Sequence, residues 1–231
     1  AMVTYLKEGM KFCMWHPDAR PVLALVDPEL TLGLPPSLTA WTGVDAMVHA
    51  IEGYCVPGFN PLCDGSAIES LSLISKSLYL AVEEPKNLVA RGGMHVGSYL
   101  GGVAFLKGLG LVHAISHMVG AEFNTQHGLT NAIILPVVLR YNLSGMDEKV
   151  KRMSEAMQFE DHSIEAFITN IEKMLDRLNI PKSLSEIGVP EDCVERIAKK
   201  AMKDQAFATN PKIATLEEVK EMTLASIKKA R

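Results

Sequence analysis

The sequence predicts a mainly α, bundle-like helical domain with a short β fragment near its N-terminal end. Three observations carry that expectation. Apolar residues recur at helical spacing over most of the chain, only one short Val/Leu-rich run reads as a strand, and 231 residues at 48% hydrophobic suffice for a sizeable core. The run PVLALV (residues 21–26), closed by Asp27 and Pro28, predicts one buried strand. Residues 66–82 predict a long apolar helix that stops before Pro85, and residues 86–106 a second that carries Gly93, Gly97 and Gly101 four apart. Small residues at that spacing let two helices approach closely, whereas phosphate binding would need a strand–loop–helix context that the sequence lacks there. Further helical segments follow from Gly110, His127 and Ser163. From Pro190 onward two more are expected, separated by ATNPKIAT, where Pro211 and its polar neighbours mark a turn and an N-cap.

Composition narrows the function. A formal net charge of −4 leaves no electrostatic footprint for nucleic acid, and the pairs Lys199-Lys200 and Lys228-Lys229 read as solvated helix faces. Cys13, Cys55, Cys63 and Cys193 form no CxxC pair, which favours reduced thiols and a cytoplasmic protein. No apolar run approaches the ~18–20 residues of a membrane span. Ala1 ahead of Met2 is expected to be a tag remnant.

The chemistry concentrates in five side chains. Asp45 and His49 stand four apart in TGVDAMVHAIEGY, His113 and His117 four apart in GLGLVHAISHMVG, and His127 follows in NTQHGLTNAIILP. On a helix, residues four apart share one face with Cβ atoms about 5–6 Å apart, so each pair can reach one cation. A carboxylate with two or three imidazoles suits Zn²⁺, Fe²⁺ or Mn²⁺, and helical bundles hold such sites between facing helices. His113 and His117 sit among Leu111, Val112, Ile115 and Met118, where imidazoles are costly to bury unless their nitrogens are satisfied. His16, His95 and His162 read as ordinary core or surface histidines. A zinc protease is excluded because Ala114 stands where that motif needs Glu, and no G-x-S-x-G elbow supports a serine hydrolase.

Through these residues and the segments around them, the chain resembles the iron-containing (group III) alcohol dehydrogenase family, its lactaldehyde reductase members in particular. The blocks LVDPELTLGLPPSLTAWTGVDAMVHAIEGY, LGLVHAISHMVGAEFNTQHGLTNAIILPVVLRYN and ATNPKIATLEEV carry the resemblance, in the family's order. It implies a dehydroquinate synthase-like C-terminal helical domain over residues 31–231. Residues 1–30 would be the last strand of a nucleotide-binding α/β domain. It further implies that Asp45, His49, His113 and His127 hold a divalent metal, Fe²⁺ or Zn²⁺. His117 matches the family's active-site histidine and a proton-relay role. Lys11 matches a lysine that contacts the nicotinamide, with an exposed surface lysine as the alternative. The substrate class would be a small alcohol or aldehyde, and a homodimer is possible. The family's GGGS and Thr-Thr-x-Gly-Thr segments are not in this sequence, so NAD(P) is expected only if the nucleotide-binding domain is supplied, with little activity from this polypeptide alone. A truncated, non-catalytic metal-binding or interaction module is the competing reading. A sugar-phosphate cyclase or glycerol dehydrogenase relative ranks lower, because Asp45-x₃-His49 and His113-x₁₃-His127 fit the group III set better.

Overall fold

Proline and short polar side chains decide where the helices begin. In the computed structural model, which describes residues 2–14, 16, 18 and 21–231, helix α1 (Pro36–Cys55) opens on a proline. So does α2 (Pro61–Glu83). A proline suits the first turn because its φ is already helical and its missing N–H would have had no partner there. Asn60 also caps α2, its side chain accepting the Cys63 N–H, and Asn87 caps α3 (Leu88–Ala104) through Ala90. Helix α4 (Leu111–Phe123) ends on Asn124 in the left-handed region, and α5 (His127–Asn142) is capped by Gln126. After α6 (Asp147–Ala156), Ser163 caps α7 (Ile164–Arg177). The C-terminal region holds α8 (Val194–Ala201), the single turn α9 (Gln205–Ala208) and α10 (Leu216–Lys228). Thr215 and Glu218 form a reciprocal capping box at the start of α10.

The core lies between these helices. Helix α1 packs against α2, α3 and α5, α4 packs on α5, and α8 fits between α4 and α10. Thirteen residues of α1 are buried and ten consecutive residues of α4, Leu111 to Gly120, are buried as well. Both helices are therefore surrounded rather than laid on a surface, as expected where hydrophobic residues cover all faces.

The glycine row does what close packing requires. A Cβ at Gly93 would lie 2.2 Å from Ser77 Oγ, one at Gly97 2.8 Å from Ile74 Cγ1, and one at Gly101 3.0 Å from the Ala46 carbonyl oxygen. The absent side chains let α3 sit against α2 and α1, and the Ser70 hydroxyl donates across the gap to the Gly97 carbonyl at 2.7 Å.

One sequence expectation needs correction. Residues 21–26 form no strand: Val22, Leu23 and Leu25 are exposed. A strand needs a neighbour for its N–H and C=O groups. Among the described residues the only two strands, β1 (Met2–Tyr5) and β2 (Met10–Cys13), pair with each other in an antiparallel hairpin, with Thr4 opposite Lys11. That hairpin was not foreseen, nor was α6, whose first turn is charged rather than apolar. The helical expectations for the segments from Gly110, His127 and Ser163 agree with α4, α5 and α7, and those for 66–82 and 86–106 fall on α2 and α3. Among the described residues no single helix is long and apolar enough to cross a membrane. Cys55, Cys63 and Cys193 are buried free thiols, while Ala1 and the Cys13 side chain lie outside the described residues.

Gly101→Val should destabilise the fold by about 1–3 kcal/mol, because the new side chain meets backbone rather than a movable side chain. Urea denaturation of the two proteins would read this as a lower midpoint at unchanged slope.

Candidate metal centre

Three helices bring four donors to one point. Asp45 and His49 lie one turn apart on α1, His113 sits in the first turn of α4, and His127 is the first residue of α5. One donor atom from each of these four lies within 4.8 Å of the others. Asp45 is the hub: its oxygens stand 3.6 Å from His127 Nε2, 3.8 Å from His113 Nε2 and 4.0 Å from His49 Nε2. The His49 and His113 rings stack at 4.8 Å between centroids.

The electrostatics suit a cation. Burial pushes the Asp45 carboxyl up, but His49, His113, His127 and a hydrogen bond from Asn131 outweigh it and hold the group below the usual carboxylate range. Burial moves the imidazoles the other way, keeping His113 well below its ordinary value and His127 down at about 4, against the pull of Asp45. Near neutral pH the cluster therefore presents one carboxylate and neutral imidazoles from His113 and His127, the protonation state that metal ligands require.

Behind the donors stand residues that the sequence reading did not single out. Glu52, on α1, is buried, and its two oxygens accept the Val112 N–H at 2.8 Å and His113 Nδ1–H at 2.7 Å. It thus caps α4 from another helix and aims the His113 Nε2 towards Asp45, an arrangement common behind metal-bound histidines. Burial raises the Glu52 carboxyl to about 7, against opposing hydrogen bonds from the backbone of Val112, Gly110 and His113. Gly110 makes the approach possible: a Cβ there would lie 2.7 Å from both Glu52 Oε1 and Asn210 Oδ1. Asn131, one turn along α5 from His127, donates to Asp45 Oδ1 at 2.6 Å and lies 3.2 Å from both His113 Nε2 and His127 Nε2. The one signal in the sequence was Glu52 itself, a carboxylate seven residues after Asp45 in an otherwise apolar stretch.

His117 lies beside the donors rather than among them. Its ring stacks on His127 at 5.3 Å and meets His113 edge-on at 5.6 Å, and its Nδ1 lies 2.9 Å from Oδ2 of the buried Asp204. Lys11, on β2, reaches α4, with its Nζ 3.2 Å from where a Cβ at Gly120 would stand. Burial lowers the Lys11 ammonium, and Asp45 pulls it back up. His95, His162 and His16 lie apart from the cluster, beside Thr31, Phe159 and Asp18 respectively.

The comparisons with known proteins show the family. The model of the Fe-containing alcohol dehydrogenase family, C-terminal, matches residues 39–227 and so spans all four donors and His117. The chain belongs to that family. It is 34% identical over 229 residues to the NAD-dependent methanol dehydrogenase of Bacillus methanolicus, covering 96% of this chain and 60% of that protein. It is 36% identical over 228 residues to the lactaldehyde reductase of Escherichia coli (strain K12), covering 96% and 59%. A solved structure of 1,3-propanediol oxidoreductase superposes with a TM-score of 0.84 at 35% identity, over 87% of this chain and 55% of that one. The chain thus spans about 60% of the length of these curated relatives.

Glu52→Gln should weaken Zn²⁺ binding about 10–100-fold, the usual cost of losing the carboxylate behind a metal-bound histidine. Competition titration with a chromophoric chelator reads the change, and an unaltered affinity would mean that Glu52 only caps α4.

Proposed function

We propose that this chain is the metal-holding catalytic part of an NAD(P)-dependent alcohol dehydrogenase that acts on small alcohols or aldehydes in the cytoplasm. The observation that carries the reading is the convergence of Asp45, His49, His113 and His127 within 4.8 Å, with His117 packed against two of them. Residues 31–231 are the helical catalytic domain in this reading, and residues 1–30 belong to its junction with a nucleotide-binding domain.

The donor set fits a divalent ion, Fe²⁺ or Zn²⁺, because a single carboxylate with three imidazoles leaves net positive charge and mixes hard and borderline ligands. When bound, such an ion supplies Lewis acidity towards an alcohol or carbonyl oxygen, and the nicotinamide supplies or takes the hydride. The chain's own residues do the rest. His113 and His127 stay neutral because they are buried, so no proton has to leave before they can donate to a cation. Glu52 and Asn131 hold the ring and carboxylate orientations through hydrogen bonds to His113 and Asp45. His117 accepts or returns the alcohol proton as the general acid–base group. Lys11, close to Gly120 and within the field of Asp45, contacts the nicotinamide in this reading.

The competing reading, a metal-binding module without catalysis, shares the donors but not the need for His117. Two measurements separate them. Elemental analysis of the purified chain should give about one divalent ion per polypeptide, and His127→Ala should lose it. On the longest polypeptide that carries this sequence, metal-dependent hydride transfer between NADH or NADPH and a small aldehyde is expected. His117→Ala should cut kcat about 10²–10⁴-fold at unchanged metal content. Full metal occupancy with no turnover would favour the non-catalytic module.

A further inference from the structure

The segment from Asp204 to Lys212 reaches back to α4 at both ends of its first two turns, and the proposed chemistry leaves its purpose open. At the helix start, Asn210 Oδ1 accepts the Leu111 N–H at 3.0 Å, and Thr209 both donates to the Leu109 carbonyl at 2.7 Å and accepts its N–H at 3.1 Å. Asn210 is itself braced by two hydrogen bonds exchanged with Asn142 on α5, at 2.9 and 3.0 Å. One turn beyond His113, Asp204 Oδ2 lies 2.9 Å from His117 Nδ1 while Oδ1 accepts the Ala206 N–H at 2.8 Å. Asp204 and His117 are both buried, 87 residues apart in sequence.

We infer that Asp204 is the positioning residue for His117: it holds the imidazole in its Nδ1–H tautomer and leaves Nε2 as the proton-accepting atom on the side of the metal ligands. A carboxylate with both oxygens engaged, one by a backbone N–H and one by the ring, cannot swing away without losing two hydrogen bonds. The ring is also confined by His127 stacked on one side and His113 edge-on. Two carboxylates thus serve two adjacent histidines of α4. Glu52 orients His113 so that Nε2 faces the donors, and Asp204 orients His117 so that Nε2 can take a proton. An imidazole that must accept a proton has to reach its partner already in the correct tautomer, and a neighbouring carboxylate secures this by accepting from the other nitrogen. The inference rests on the proposed role of His117 for its catalytic consequence, but the tautomer itself can be read without turnover.

The test uses the Zn²⁺-loaded chain labelled with ¹⁵N at histidine. Long-range ¹H–¹⁵N correlation is recorded well above the ordinary imidazole pKa of about 6.5. The native protein should show His117 protonated at Nδ1. Asp204→Asn keeps an oxygen for the Ala206 N–H and turns its NH₂ towards the ring, so His117 should switch to Nε2–H. Asp204→Glu, which restores a carboxylate, should return the ring to Nδ1–H. Zinc content should stay the same in all three. In the longest polypeptide carrying this sequence, Asp204→Asn should lower kcat about 10–100-fold with KM little changed. An Nε2–H ring in the native protein overturns the inference, and that reading needs no variant to fold. So does a tautomer untouched by Asp204→Asn, loss of zinc in that variant, or an unchanged kcat where the native enzyme turns over. Absence of turnover in the native enzyme, with the expected tautomers, would count against the dehydrogenase reading alone.

Discussion

Glu52 joins two of the helices that carry the candidate metal ligands. Its carboxylate lies in the interior between α1 and α4, taking the Val112 N–H through one oxygen and His113 Nδ1–H through the other. A buried carboxylate is costly unless its lone pairs are filled, and the unsatisfied N–H groups at a helix N-terminus fill them well. The same contact therefore ends an energetic liability of α4, stabilises a charge on α1 and points His113 at Asp45. Were Glu52 apolar, the Val112 N–H and His113 Nδ1 would lose their partner, leaving Asn210 as the side-chain cap at the start of α4.

Around that joint, the donors divide the work between local and distant contacts. The pair Asp45 and His49 is local, set by one turn of α1. His113 and His127 come from two other helices and meet Asp45 because α4 and α5 both pack in the same interior as α1. Asn131 repeats the local principle on α5, one turn from His127, and fastens the Asp45 carboxylate in place. Metal centres built in this way inherit the rigidity of the helices that carry them, and the packing row of Gly93, Gly97 and Gly101 supplies part of it. Gly101 in particular stands against Ala46 and His49, so the closeness of α3 bears directly on the donor helix.

The C-terminal region adds an outer layer of control. Asp204, Thr209 and Asn210 all touch α4 or the residues leading into it, although nearly ninety residues or more separate them in sequence. Their side chains are short and polar, the kind that close orphaned backbone groups at helix ends. The position of α4, and with it of two histidines, thus depends on chain that folds back after α8.

By itself the sequence determined the helical character, the pairs at four-residue spacing and the family resemblance, because helical periodicity and short-range spacing are local properties. It also showed the glycine row as a packing feature, and His16, His95 and His162 as bystanders. Only the tertiary structure decided that Glu52, Asn131 and Asp204 stand behind the histidines, since each acts through a partner 61 to 87 residues away or on another helix. It also decided against a strand at residues 21–26. An apolar run states that burial is favourable, but a strand exists only where another strand completes its hydrogen bonds, and that partner is a matter of the assembled fold.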